Sequence, residues 1–273
     1  MKTSFSTLAC PEWTLQQVLD GAVRYGFDGV ELRVVSHELD LWKLPEFSDA
    51  GLSATRRLIE NHGLKVVSVG SSANFHSPDA LERERNVGLA MRMAEVAAGV
   101  GAPSVRVFPD RIQPGCTRNQ TADWIASSLH SLLERLKPSG IEVWLETHGD
   151  FARAADVSEI VERMELAGFG IIWDPANAFA ESDEAPHLSE SMKQYIRHVH
   201  AKDLRRSADG KPQYILAGQG DFPFSEMFAS LDAIGYDGYI SFEWERQWHP
   251  ELVAADVALP HFINWWKSRE AGG

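Results

Sequence analysis

Residues 141–177 read IEVWLETHGDFARAADVSEIVERMELAGFGIIWDPAN. Two apolar runs, IEVWL and FGIIW, each end in a carboxylate, Glu146 and Asp174, and between them Ala154 to Ala167 carries the spacing of a helix. A connection of that length suits a crossover between parallel strands and is far longer than a hairpin needs. The fold turns on whether the same unit recurs along the chain.

It does. Toward the N-terminus, KTSFSTLA is a first strand, followed by a helix that Thr14 caps and that ends near Gly26. FDGVELRVV is the second strand, and GLSATRRLIENHG is a helix stopped by Gly63. LKVVSVG is a third strand rich in β-branched residues, Asp79 to Gly101 is a long helix broken by GAP, and SVRVF is the fourth strand. A helix from about Thr121 to Leu136 leads to IEVWLETHG, the fifth. After FGIIWDPAN, the sixth, a shorter helix is expected near Leu188 to Tyr195, then IRHVHAKDL as the seventh strand and SADGKPQYILAGQGD as a polar loop. A helix over about Pro223 to Ile234, the strand YDGYISFEWE and a last helix through PHFINWWKSRE complete eight strand–helix units. Such alternation predicts a parallel sheet closed as a single (β/α)8 barrel. An open doubly wound sheet is disfavoured, because no GxGxxG follows the first strand and no GxxxxGK[ST] occurs anywhere. With no Pro-, Gly- or Ser-rich linker and no short repeat, residues 1–273 are expected to form one domain.

The balance of 26 Lys and Arg against 39 Asp and Glu, a formal charge of −13, disfavours a nucleic-acid partner. The N-terminus MKTSFSTLACPEW lacks a signal-peptide core and no segment approaches a membrane span, so a cytoplasmic protein without a membrane partner is expected. Cys10 and Cys116 stand alone and are expected to be reduced thiols, which removes both a disulfide framework and a thiolate zinc site. A homo-oligomer is left open.

In such a barrel the active site lies at the carboxyl ends of the strands. The ionisable residues there are Glu146 after EVWL, Asp174 after GIIW, His200 after RHV and Glu243 after YISF, on consecutive strands. Each carboxylate follows an apolar run, where an unpaired charge is costly, so a positive partner is expected. Three carboxylates and an imidazole form a hard oxygen-and-nitrogen donor set suited to a divalent metal ion: Mn, Mg or Co, with Zn as a further alternative.

In order and spacing, GFDGVELR, LETHGD, WDPAN, HVHAKD and GQGDFPFSEMFASLDAIGYDGYISFEWE resemble the sugar phosphate isomerases and epimerases of the xylose-isomerase-like TIM-barrel superfamily. The resemblance covers almost the whole chain. It implies that Glu146, Asp174, His200 and Glu243 bind a divalent metal, Mn first among the candidates, and that Glu146 and Glu243 also exchange protons with substrate. It further implies polar substrate contacts from His148, Lys202 and Arg206, with Arg106 on the fourth strand a further candidate. Where related epimerases often carry a histidine after the sixth strand, this chain has Asn177, which can hydrogen-bond a hydroxyl but cannot titrate. The implied activity is proton transfer next to a carbonyl of a ketose or related polyol-derived substrate, through a metal-stabilised enediolate.

Competing readings remain at this stage. A dehydratase of the inosose type would use the same metal and base. An endonuclease-IV-like repair enzyme would need extra histidines where this chain has VSVGSS and VRVFPD, and a non-catalytic sugar-binding barrel would not need an acid–base pair. Residue by residue, Glu146 could be paired with Arg106 or Lys202, Asp174 could fold onto backbone as a turn residue, and His198 reads as a hydrogen-bonded core histidine. Trp13, Trp144, Trp173 and Trp244 are expected mostly to pack, with a pocket role as the alternative.

Overall fold

The computed structural model describes residues 1–165, 167–182, 184–207 and 210–271. Position 166 of the expected fifth helix and positions 208 and 209 of the expected polar loop therefore lie outside the described residues. Strands β1 (Lys2–Ser6), β2 (Gly29–Leu32), β3 (Lys65–Asn74), β4 (Ser104–Phe108), β5 (Glu142–Glu146), β6 (Phe169–Trp173) and β7 (Ile196–Ala201) pair in parallel with their sequence neighbours. An antiparallel hairpin of β8 (Asp203–Arg206) and β9 (Pro212–Ile215) follows, and β10 (Tyr239–Phe242) closes the barrel by pairing with both β7 and β1.

Among the described residues eight α-helices flank the strands: α1 (Leu15–Tyr25), α2 (Leu52–Asn61), α3 (Ala80–Val100), α4 (Arg118–Leu136), α5 (Ala154–Val161), α6 (Pro175–Ser182), α7 (Phe224–Ala233) and α8 (Ala255–Ala271). Their ends follow local chemistry. Thr14 and Gln17 cap each other's backbone amides at the start of α1, and Gly26, at φ 88°, accepts the left-handed turn that ends it. Asp79, accepting from the Leu81 amide, starts α3, and Gly101, at φ 80°, ends it. Apolar side chains such as Val18, Ile125 and Phe262 fill the space between helices and strands. Among the described residues no helix is long and apolar enough to cross a membrane, and Cys10 and Cys116 are free thiols.

Three expectations need correction. The segment after β7 is not a plain polar loop, because Asp203 pairs with Ile215 and Arg206 with Pro212. Asp203 is buried and accepts hydrogen bonds from the amides of Gly218, Gly220 and Phe222, which folds the GQGD stretch back over the hairpin. The helix joining β6 to β7 is α6, not a helix over Leu188–Tyr195, where only a 3-10 turn at Lys193–Tyr195 forms. Pro175 suits the first position of α6, since its missing amide proton would have had no helical partner there. Helix α5 ends at Val161, short of Ala167, and the Met164 carbonyl beyond it accepts from the Tyr195 hydroxyl instead.

Candidate functional site

The register of the last strands sets the site. Ile172 pairs with His198 and Trp173 with Val199, so the next step sets Asp174 beside His200. Phe242 pairs with Ala201, which sets Glu243 beside Lys202. Glu146 is the last residue of β5. The four side chains converge: one ligand atom from each of Glu146, Asp174, His200 and Glu243 lies within 4.8 Å of all the others. His200 Nδ1 is 3.3 Å from Glu243 Oε1, 3.7 Å from Asp174 Oδ2 and 3.8 Å from Glu146 Oε1. All four residues are buried.

Asp174 divides its two oxygens between tasks. Oδ1 accepts from the Asn177 amide at 3.1 Å and caps α6, so the turn-residue reading holds for that oxygen, while Oδ2 faces the cluster. Glu146 likewise keeps a cation at its back, with Arg106 Nε 3.3 Å from Oε2. Lys202, also buried, lies 2.9 Å from Asp174 Oδ2 and donates to Glu243 Oε2 at 2.7 Å and to Glu245 Oε1 at 2.6 Å.

Behind His200 stands Glu31, on β2 across the barrel. Its Oε2 accepts from His200 Nε2 at 2.9 Å and from His198 Nε2 at 3.2 Å. That contact fixes a proton on Nε2, so Nδ1, which faces the three carboxylates, is the ring nitrogen that can give up its proton to a metal ion. His198 is thus a buried, hydrogen-bonded residue outside the four-residue cluster. Glu31 was not among the residues expected from the sequence, although an acid inside the apolar run GVEL is a signal that could have been read.

Electrostatics sharpen the picture. Burial, and then the nearby Glu243, push Glu146 up to about 8. Glu243 moves the other way: against its burial, His200 and Lys202 hold it well below the usual carboxylate range. Against burial, Glu243, Glu31 and Glu146 draw His200 well above the usual imidazole range. The cluster thus gathers protons to offset crowded negative charge.

That is the work a divalent cation would do. Glu146 Oε2, Asp174 Oδ2 and His200 Nδ1 are buried atoms that make no well-aligned hydrogen bond; Arg106 and Lys202 meet the two carboxylates only as ion pairs, and the cluster keeps three carboxylates crowded around one imidazole. Three carboxylates and one imidazole, with a carboxylate fixing the imidazole from behind, fit such an ion.

The family model for xylose isomerase-like TIM barrels matches residues 19–267. The chain belongs to this family. A 2-oxo-tetronate isomerase of Haemophilus influenzae is 21% identical over 243 residues, covering 83% of this chain and 86% of that protein. A match to the uncharacterized Escherichia coli protein YihM, 26% over 145 residues, spans 52% of this chain and only 43% of the other. Among solved family folds, the IolI protein with a bound zinc atom superposes with a TM-score of 0.80 at 20% identity, covering 97% of this chain and 96% of that one. The 3-keto-D-glucoside 4-epimerase YcjR of E. coli superposes with a TM-score of 0.74 at 19% identity, covering 98% and 99%. Both superpositions show the same xylose isomerase-like barrel fold over almost the whole chain.

The family barrel opens beside the cluster into a cavity of about 280 Å³ whose wall includes Arg106, Glu146, His148, Lys202, Glu243 and Trp248. Arg106 also lies flat over Phe108, its guanidinium carbon 3.9 Å from the ring centre. His148 stands 3.9 Å from Asp110, and burial, then Lys202, lower its proton affinity.

Two expected substrate contacts are not on this wall. The Asn177 side chain donates to the Thr147 carbonyl at 3.0 Å and so serves the β5 end rather than the cavity. Arg206 donates to the carbonyls of Ala180 and Gly210, tying α6 to the hairpin. The wall's tryptophan is Trp248, whereas Trp144, Trp173 and Trp244 are buried and Trp13 packs against the core. A larger hollow of about 400 Å³ lies at the amino-terminal strand ends around Glu134, Lys137 and Glu142, away from the convergent set.

Proposed function

We propose that this chain is a divalent-metal-dependent sugar isomerase or epimerase that moves a proton next to the carbonyl of a ketose or a related polyol-derived substrate. One observation carries the reading: Glu146, Asp174, His200 and Glu243 meet in one buried cluster, with Glu146 and Glu243 on the wall of a cavity at the small end of ligand sites. The isomerase and epimerase activities named for relatives of the same fold support it.

Glu146, Asp174, His200 and Glu243 would hold the ion, Mn being the first candidate, and when bound it supplies Lewis-acid polarisation of a carbonyl and offsets the negative charge created by proton removal. The chain's own residues do the rest. Glu243, kept ionised by His200 and Lys202, takes the proton from carbon. Glu146 is the second carboxylate, which returns a proton to carbon. Acting on opposite faces of one carbon they invert it, and acting on adjacent carbons they interconvert aldose and ketose. Lys202, Arg106 and His148 orient hydroxyl oxygens, and the buried cluster keeps bulk water from the reacting carbon.

Incubation of the Mn-loaded protein with ketoses, 2-keto sugar acids and inososes in deuterated water tests this. Deuterium entering a carbon next to the carbonyl, with sugar mass balance kept, is the expected result. An unsaturated or deoxy product would make the protein a dehydratase, and no exchange from any class would remove the isomerase reading.

A further inference from the structure

Arg33, just past β2, is 3% exposed and lines the same cavity as the carboxylates. Among the described residues it forms no ion pair: its Nη2 donates to Ser72 Oγ at 2.6 Å, and its Nη1 has no hydrogen-bond partner. A second arginine lies alongside it. A Cβ built on Gly70 would sit 2.7 Å from Arg33 Cδ and 2.9 Å from Arg106 Nη2, so both side chains cross the same bare stretch of β3. Arg106 has Glu146 as a counter-ion at 3.3 Å, and Arg33 has none. Burial, and then Arg106, pull the Arg33 guanidinium down to about 9, outweighing the opposing charges of Glu146, Asp40 and Glu31, none of which comes within ion-pair distance.

A buried guanidinium with an idle N–H, beside a second guanidinium, is costly to keep unless a negative group reaches it. The planar fork of arginine matches an oxyanion in two-point contact, and the Ser72 hydroxyl, which accepts from Arg33, still has its proton to donate. The cavity thus has a basic part of its wall, Arg33 and Arg106, and an acidic part, Glu146, Glu243 and Glu245, which meet at the Arg106–Glu146 ion pair. Its small volume places both parts within reach of a short-chain sugar.

We infer that the cavity takes an acidic sugar, whose terminal oxyanion, a carboxylate or a phosphate ester, seats on Arg33 and Arg106 while its carbonyl end faces the carboxylate cluster. The choice of a sugar rests on the isomerase reading above. The oxyanion seat stands on the geometry of Arg33.

Isothermal titration of the EDTA-stripped protein tests the seat, with erythronate read against erythritol and glycerol 3-phosphate against glycerol. At least one charged probe is expected to bind roughly tenfold tighter than its uncharged counterpart, with the preference lost in Arg33→Gln. The probe that gains most tells carboxylate from phosphate. Equal affinities within both pairs, or a preference that survives Arg33→Gln, would overturn the assignment. Should Arg33→Gln fail to fold by circular dichroism, Arg33→Lys is read in its place. It is expected to bind the charged probes several-fold more weakly than wild type, because a point charge replaces the planar fork, and undiminished affinity would also overturn the seat. Binding to the stripped protein is independent of deuterium exchange. A charged-probe preference without exchange keeps the seat and removes the isomerase reading, and exchange without the preference does the reverse.

Discussion

Glu31 braces His200 from the far side of the barrel: Glu31 Oε2 lies 2.9 Å from His200 Nε2, and both side chains are fully buried. The carboxylate in turn is held well below its usual range, since His200 and His198 outweigh the burial that would raise it. This pair aims Nδ1 at Glu146, Asp174 and Glu243 and raises the basicity of the ring. Replacing Glu31 by Gln removes the charge and keeps the shape. The Mn2+ affinity of Glu31→Gln, measured by calorimetry, is expected to fall by about 10- to 100-fold. An unchanged affinity would show that His200 needs no such brace.

Glu243→Gln is expected to reduce turnover by about 100-fold or more, because an amide cannot accept the carbon proton. Metal retention should weaken as well, since a neutral oxygen replaces a charged one. Metal content and rate, measured on the same preparation, separate the two effects. A variant with full metal content and wild-type rate would remove Glu243 from the chemistry.

In the metal-free chain Glu146 is raised from 4.5 to about 8, so the folded protein holds a proton that the unfolded chain releases. Such a group stabilises the fold below the unfolded value, and that stability is lost as pH rises through the folded value. Stability from this source is therefore expected to decline between about pH 4.5 and 8, with His200, also raised, acting in the same direction above its ordinary value. A cation displaces the same protons. The rise in Tm caused by Mn2+ should accordingly grow with pH across this window, and a rise that stays constant would contradict the pairing of proton and metal.

Lys202 is an ammonium set among Asp174, Glu243 and Glu245. Lys202→Met leaves those carboxylates uncompensated, which should cost the metal-free protein about 3–5 kcal/mol in denaturant unfolding. The same change removes a repulsive charge from the metal's neighbourhood, so Mn2+ affinity should rise. A variant that keeps its metal-free stability and binds Mn2+ less well would reverse the role given to this lysine.

The barrel was legible because each unit punctuates itself. Thr14, Gly26, Asp79 and Gly101 are local signals, and the structure uses them where the sequence places them. The four converging residues were legible for a related reason: charges at the ends of apolar runs are costly, and a barrel brings consecutive strand ends together. Glu31 and Arg33 were not, because their partners are remote in sequence: Glu31 is 169 residues from His200, and Arg33 bonds Ser72, 39 residues on. The side chains of Asn177 and Arg206 bond to backbone carbonyls of a neighbouring segment, a choice of direction that position along the chain does not reveal. The β8–β9 hairpin escaped notice because its closing force is Asp203 gathering three amides of a glycine-rich stretch, which leaves little hydrophobic alternation to read. Through Tyr214, which donates to Glu245 at 2.9 Å, that hairpin also reaches the Lys202 network.

Anomalous diffraction from crystals grown with Mn2+, recorded at the manganese edge, tests the central claim most directly. The account predicts a peak among Glu146, Asp174, Glu243 and the Nδ1 of His200, absent from Asp174→Asn crystals grown in the same way. No peak at that position in the wild-type protein, or one that persists unchanged in the variant, would contradict it.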